Sequence, residues 1–549
     1  MKKYIYKFGI LLFSLAVISA CSGFDDDLEK RNTDTKNASE VPPGPLFTNA
    51  VLDYYYLMLN TNVNSNVFRL YSQYWAQTTY PDESQYNQTT RNIGRNMWQT
   101  LYRDVLKDLD GAKVSINSAE LPGVDPASEE AIRDNKLACI KIIEVLAYSN
   151  LVDLFGDVPY TDALDIENPE LSYDDAATVY SNILTELDNA IDMISTGYGG
   201  LDANDPIYGG NMSNWLKYAN SLKLRLALRL ADVNPSVAQA TAEEAISNTL
   251  ISSNADNFKI DYMPLSPNTN PLWVDLVQSG RKDFVAANHL VNYMNNILDP
   301  RMGVYFETTS FSYEKDDNGN AIDTEISGNG KATLFVTDTN DEEYILVVNL
   351  PYTVLAVDNL EISYYKGGVY GTANSYSQNS HIGGLFHDPE LEGVLMSYAE
   401  VEFLLAEAAE RGYSVTGTAE DHYNAAVLAS MAEWGVDGTE ASTFLAQPEV
   451  AYTTATGDWK VKIGSQKWIS LFNNGFEGWT TYRLLDFGIL KGFPIFDDDD
   501  NLIGYEDPEV PVRFLYPIEE ATLNGTEYDA AAAAIGGDEM DTKLFWDIN

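Results

Sequence analysis

The stretch LSYDDAATVYSNILTELDNAIDMI, residues 171–194, spaces Ala176, Tyr180, Ile183, Leu184, Leu187, Ile191 and Ile194 by three and four. That interval lays all seven along one side of a helix. Ser172, with Asp175 three residues on, is the expected cap. The same interval recurs from Trp98 to Ile116, Ser128 to Phe155, Met212 to Ala231, and Val394 to Trp434 with a break at Gly412. In the second of these, Ile132, Cys139, Ile140, Ile143, Leu146, Ala147, Leu151 and Leu154 make the stripe. A further helix is expected to start near Leu46. A helix with one apolar side cannot stay exposed on it, so a succession of such helices must pack on one another.

Successive pairs with Tyr, Ala and Leu on the facing stripe look like tetratricopeptide-type hairpins, although no 34-residue consensus is legible. Between Gly303 and Tyr370 the pattern changes. KATLFVTDTNDEEYILVVNL reads as two β runs around a Thr-Asn-Asp turn, and Asn318-Gly319 is a hairpin signal. YYKGGVYGTANSYSQNSHIGG, residues 364–384, has neither period and is the kind of long loop that carries function. Beyond Gly435 the chain reads as irregular and aromatic. The expected fold class is therefore mainly α: a tetratricopeptide-like helical hairpin core with irregular loops and a small β-containing insertion.

The chain opens Met1-Lys2-Lys3, with Lys7, and then runs apolar from Phe8 to Ala20. That run is shorter than the roughly 20 residues that span a bilayer, and reads as a signal peptide over residues 1–20. Ile18-Ser19-Ala20-Cys21 has the order of a bacterial lipobox, which makes Cys21 the lipidated first residue of the mature protein. Several acyl chains would anchor it to a membrane. Residues 21–45, polar and ending in VPPGP, read as a flexible tether. With Cys21 modified, Cys139 has no partner for a disulfide, and its place on an apolar stripe makes it a small buried residue.

The 82 acidic residues against 34 basic ones, a net charge of −48, repel nucleic-acid phosphates, and no basic patch offsets them. Those carboxylates could supply a glycosidase pair, but there is no G-x-S-x-G, H-E-x-x-H or P-loop, and the four histidines lack metal-ligand spacing. DDDDNLIGYED, residues 497–507, lacks the glycine an EF-hand needs at its sixth position. No catalysis, metal or cofactor is expected.

Ligand binding is better served, because 35 tyrosines offer flat faces with hydroxyl edges. Platforms need rings beside amides and carboxylates. Tyr74, Trp75, Tyr80 and Tyr86 stand beside Gln77, Asp82 and Asn87. Tyr365, Tyr370 and Tyr376 stand beside Asn374 and Gln378. Each ring also has an alternative role in core packing.

Five stretches resemble, in order, the SusD/RagB family of outer-membrane nutrient-binding lipoproteins: YWAQTTYPDESQYN (74–87), LVDLFGDVPYTDAL (151–164), NWLKYANSLKLRLALRLADVNP (214–235), VLMSYAEVEFLLAEAAERG (394–412) and KWISLFNNGFEGWTTYRLLDF (467–487). Tyr80–Glu83 and Leu298–Arg301 lean toward the second-type SusD-like branch. The resemblance implies one domain over 46–549: a helical core of four hairpins over about 46–302 and 392–434, a loop-rich insertion over 303–391 and an irregular part over 435–549. It adds Trp273 as a candidate ligand residue, since family sites draw on a loop in this region. Arg225 and Arg229, four apart among leucines, read as buried ion-pair partners within the helix stack. Asp25-Asp26-Asp27 resembles the acidic tag that sends Bacteroidetes lipoproteins to the cell surface. The implied function is non-enzymatic capture of a glycan or oligosaccharide at the outer surface of the outer membrane and its delivery to a SusC-like TonB-dependent transporter. The alternatives are the same lid role for peptides, or a helical interaction scaffold that holds no nutrient.

Overall fold

The computed structural model describes residues 41–119, 124–165, 167–168, 170–312, 330–337, 343–350, 361–497, 502–506 and 510–548. The expected signal peptide, Cys21, Asn318-Gly319 and residues 498–501 and 507 of the acidic run 497–507 lie outside them.

Four helical hairpins form the body. Pro126–Phe155 packs on Ala176–Met193, Met212–Arg229 on Pro235–Ile246, Tyr398–Glu410 on Ala419–Glu433, and Trp459–Ser470 on Gly475–Leu485. Ala176–Met193 touches Met212–Arg229, which touches Tyr398–Glu410, which touches Trp459–Ser470, so the pairs stack in chain order. Pro43–Leu59 packs on Lys107–Ser118 in front of them. In Ala176–Met193 the predicted Ala176, Tyr180, Ile183, Leu184 and Leu187 are buried. The cap, however, is Asp175 and not Ser172: its Oδ1 accepts from the Thr178 N–H at 2.8 Å. An antiparallel bridge between Val158 and Asp174 holds the preceding residues extended, so the helix cannot begin earlier. Cys139 is buried with its Sγ 4.0 Å from Met212 Sδ, and burial pushes its thiol pKa up, so it packs as an apolar residue.

The stack is tied through its centre by charge. Arg225 Nε and Nη2 each donate to a Glu400 oxygen at 2.7 Å, and its Nη1 lies 3.6 Å from Glu477 Oε1. Arg229 Nη2 donates to Glu477 Oε1 at 2.6 Å, and its Nε stands 3.1 Å from Asp153 Oδ2. These five buried side chains come from all four hairpins, as the reading of the two arginines as ion-pair partners required. Burial alone would raise the Glu477 carboxyl, but Arg225 and Arg229 outweigh it and hold it well below the usual range. Burial wins at Asp153, which is raised despite Arg229 and Arg483. In the Leu298–Arg301 stretch, Arg301 Nε and Nη2 donate to the two Asp299 oxygens at 2.9 and 2.6 Å, and Nη2 reaches Gln466 Oε1 at 2.7 Å.

The segment beyond residue 435 is not irregular as expected. It supplies the fourth hairpin, and Trp546 Nε1 donates to Asp153 Oδ1 at 2.8 Å from near the end of the chain. Its helices are legible only in context, because Trp459–Ser470 and Gly475–Leu485 are buried almost all round and so lack a polar face to set the period.

Among the described residues the insertion holds four antiparallel strands: β4 (Thr309–Ser312), β5 (Gly330–Thr337), β6 (Glu343–Leu350) and β7 (Glu361–Tyr364), in the order β4-β7-β5-β6. The two expected β runs are the β5–β6 pair, in register from Gly330 opposite Leu350 to Thr337 opposite Glu343. Smaller pairs join distant segments. β1 (Trp75–Gln77) lies against β3 (Phe284–Ala286), and β2 (Phe258–Ile260) against β8 (Gly393–Met396).

Candidate functional site

The β1–β3 pair continues past Gln77, where the Thr78 N–H donates to the Asp283 carbonyl at 2.9 Å, and then the chain turns at Tyr80 with φ +52°. Gln77 holds this turn with both ends of its amide. Its Nε2 donates to the Tyr80 carbonyl at 3.1 Å and to Glu83 Oε2 at 2.6 Å, while its Oε1 accepts from the Ser84 N–H and hydroxyl at 2.9 and 2.8 Å. Arg91 Nε closes on the other oxygen of buried Glu83. The backbone under Tyr80 is therefore fixed while its ring is 70% exposed.

Tyr80 stands at the rim of a cavity of about 300 Å³ lined also by Asn62, Asn64, Gln77, Arg91, Asp275 and Arg281. Opposite the Tyr80 turn, Asp275 Oδ2 accepts from the Thr61 N–H and hydroxyl, both at 2.8 Å. Arg281 Nη2 donates to Asp283 Oδ1 at 3.1 Å. The result is a polar bowl with amide and guanidinium donors, carboxylate acceptors and one free aromatic face. Such a surface suits a ligand rich in hydroxyls or amides.

Among the residues singled out in the sequence, Gln77 and Tyr80 line this cavity. Asp82 and Trp273 are part-exposed near it in sequence, Trp273 ending the short helix Pro271–Trp273 just before Asp275. Five rings expected as a platform are enclosed instead. Tyr74 donates to the Trp468 carbonyl and packs on Trp468 and Phe472. Trp75, 1% exposed, sits against Phe284 with the Arg69 guanidinium 5.2 Å from its ring. Tyr86 packs edge-on to Tyr71 and against Phe493, and Tyr370 lies against Tyr86 and His289. Tyr365 is buried too, and burial pushes its hydroxyl up to about 12. A ring covered on both faces by protein has none left for a ligand.

The amides expected beside those rings hold the loops. Asn87 Oδ1 accepts from the Thr89 and Thr90 N–H groups at 3.2 and 3.0 Å. Asn374 Nδ2 donates to the carbonyls of Gln77, Val369 and Thr372 at 2.9 to 3.1 Å. Tyr376 stacks on His381 at 3.8 Å and 16°, with Lys282 Nζ 5.0 Å from its ring. The tyrosine-rich loop thus lies down on β3. At Gly367 a Cβ would come within 2.3 to 2.5 Å of the Ala287 and Asn288 backbone, so that approach requires glycine. The sequence reading missed Asn62, Asn64, Arg91, Asp275 and Arg281. The asparagine-rich break LNTNVNSN, residues 59–66, and the Gly-centred QSGRKD, residues 278–283, are the signals that could have drawn attention there.

Among the described residues, no cluster of three or more His, Cys, Asp or Glu is placed to hold a metal ion, and no helix is long and apolar enough to cross a membrane. The family model for SusD-like proteins, described as starch-binding and associating with the outer membrane, matches residues 35–362 and 352–517. The chain belongs to this SusD-like family. Solved structures agree on the SusD fold. A chitin-binding protein is 24% identical with a TM-score of 0.70 over 92% of this chain and 100% of its own. A chitin-binding SusD homolog from Flavobacterium johnsoniae is 24% identical, TM-score 0.65, over 92% and 98%. A SusD homolog from Bacteroides uniformis is 24% identical, TM-score 0.68, over 92% and 99%. A search of curated proteins found no match.

Proposed function

We propose that this SusD-like protein is a non-enzymatic, lipid-anchored capture protein of the outer membrane, which holds a glycan or oligosaccharide at the Tyr80 cavity and passes it to a SusC-like TonB-dependent transporter. The observation that carries the glycan reading is the exposed Tyr80 ring on a turn fixed by Gln77, at the rim of a bowl of amide, guanidinium and carboxylate groups. Sugars combine an apolar ring face with edge hydroxyls, and this arrangement offers a partner to each. The starch-binding description of the family and the chitin-binding relatives support the same class of ligand.

Calorimetric titration with chitin oligosaccharides, malto-oligosaccharides and short peptides tests the reading. Binding of a saccharide is expected, and Tyr80→Ala is expected to weaken it by about 1–2 kcal/mol, a typical loss for an aromatic contact, with no change in the melting curve. A Tyr80→Ala variant that binds as tightly as the native protein would move the site elsewhere. The two arginines and two aspartates around the cavity favour a peptide as the second reading, since they match peptide termini; peptide binding without saccharide binding would select it. Binding of neither, with a barrel protein still retained on purification from native membranes, would leave the interaction scaffold.

Anchoring rests on the Ile18-Ser19-Ala20-Cys21 order. Cys21→Ala is expected to abolish incorporation of labelled palmitate and release the protein from membranes. Retained label in that variant would refute the lipoprotein reading.

A further inference from the structure

Two guanidinium groups line the Tyr80 cavity, and the fold holds them differently. Arg281 pairs with Asp283 while its own side chain is 63% exposed, and an ion pair so open to water holds neither partner firmly. Arg91 pairs through Nε with one oxygen of Glu83, whose side chain is 0% exposed. The other Glu83 oxygen accepts from the Gln77 amide at 2.6 Å, and the same Gln77 nitrogen holds the Tyr80 carbonyl. One buried carboxylate therefore fixes the Arg91 side chain and the Tyr80 turn relative to each other.

Only the Nε of Arg91 is used in this way. Its two terminal nitrogens meet no acceptor among the described residues, and both keep contact with solvent. Across the bowl Asp275 is likewise used on one side: Oδ2 accepts both Thr61 hydrogens, while Oδ1 accepts none among the described residues and is also open to solvent. A ligand is thus offered a two-donor edge, an acceptor and the Tyr80 ring. The charge around them leans negative, because Arg91 and Arg281 stand with Glu83, Asp275 and Asp283.

We propose that Arg91 is the specificity-determining residue of the Tyr80 cavity: its free edge donates to an uncharged oxygen of a sugar whose apolar face lies on Tyr80, while a hydroxyl of the same ligand donates to Asp275. The inference rests on this cavity being the saccharide site, and names the class of sugar it selects. A guanidinium held by Nε can still donate two parallel hydrogen bonds from its far edge. Its charge is already matched by Glu83, so a sugar carboxylate would find no free cation and would add to the three carboxylates present. Neutral sugars are selected over acidic ones. An acetamido carbonyl and a hydroxyl both supply the required oxygen, and two neutral probes tell them apart.

Calorimetric titration of the mature protein at pH 7 with chitotriose, maltotriose and trigalacturonate tests this. At least one neutral trisaccharide is expected to bind, and at least tenfold more tightly than trigalacturonate. Tighter binding of chitotriose assigns the oxygen to the acetamido carbonyl, and equal or tighter binding of maltotriose assigns it to a hydroxyl. Arg91→Lys keeps a cation for Glu83 but has no second edge, so neutral binding is expected to fall about tenfold with the melting curve close to native. Should that variant melt early, Arg91→Gln with Glu83→Gln removes both charges together, leaves no orphan carboxylate, and is expected to show the same loss of binding. Trigalacturonate bound as tightly as the neutral sugars, or neutral binding that needs Tyr80 but survives both Arg91 variants, would overturn this inference alone. Binding of no saccharide, or saccharide binding indifferent to Tyr80→Ala, would overturn it together with the reading it rests on.

Discussion

Replacing Tyr365, Tyr370 and Tyr376 together by alanine is expected to unfold the protein or leave it barely stable. Tyr370 is 0% exposed and Tyr365 buried, and removing a buried aromatic side chain costs about 3–5 kcal/mol. Two such losses approach or exceed the 5–15 kcal/mol that typically holds a domain together. Tyr376 adds less, because only its stack on His381 and its contact with Lys282 are lost. The single variants separate the contributions: Tyr376→Ala is expected to melt close to the native protein, and Tyr370→Ala far below it. Thermal melting by circular dichroism reads both. A triple variant that melts like the native protein, with ligand binding lost, would restore the tyrosine-rich loop as the platform and displace the Tyr80 cavity.

Arg229→Met is expected to cost about 3–5 kcal/mol, the usual penalty for removing one partner of a buried ion pair. Methionine replaces the stem without the charge, so the packing of Met212–Arg229 survives while Asp153 and Glu477 lose their shared cation. Arg225 remains 3.6 Å from Glu477 and shields it in part. Asp153, whose carboxyl burial already raises, is the group expected to take up a proton in the variant. The loss is expected to shrink when Asp153→Asn and Glu477→Gln are added, because the two carboxylates that Arg229 matched are then neutral while Asp547 remains beside Arg483. The urea midpoint should fall in the single variant and recover in the triple one, with the slope of unfolding unchanged. A single-variant loss below about 1 kcal/mol would show that the network does not bind the hairpins together.

The slope is expected to hold because an apolar core continuous through all four pairs couples them alongside the network. A hairpin stack contacts only its neighbours and could unfold pairwise, whereas Asp153, Arg225, Arg229, Glu400 and Glu477 join all four in one cluster. A steep single transition is the expected result, to which the closing helix Gly475–Leu485 contributes through Glu477.

What the sequence by itself determined is whatever repeats along the chain or acts locally. Ala176, Tyr180, Ile183, Leu184 and Leu187 could be placed on a buried face from their spacing alone, since a helix fixes which residues share a side. The β5–β6 pair follows from two β-rich runs. Five family-like stretches in order led to the SusD fold that the family match and the solved structures show. Only the tertiary structure decided which aromatics face solvent. Trp75 and Tyr80 lie five residues apart in one aperiodic segment, yet one is enclosed by Phe284 and Phe472 and the other exposed at the rim of a cavity. Neither period nor composition distinguishes them, because the two phenylalanines that enclose Trp75 come from more than 200 positions away. The same holds for charge. That Arg225 and Arg229 would be paired could be read from two arginines among leucines, but Glu400 and Glu477 became their partners only when the third and fourth hairpins closed on the second. Exposure and long-range pairing are properties of packing, and a linear pattern carries them only where one secondary-structure element contains both partners.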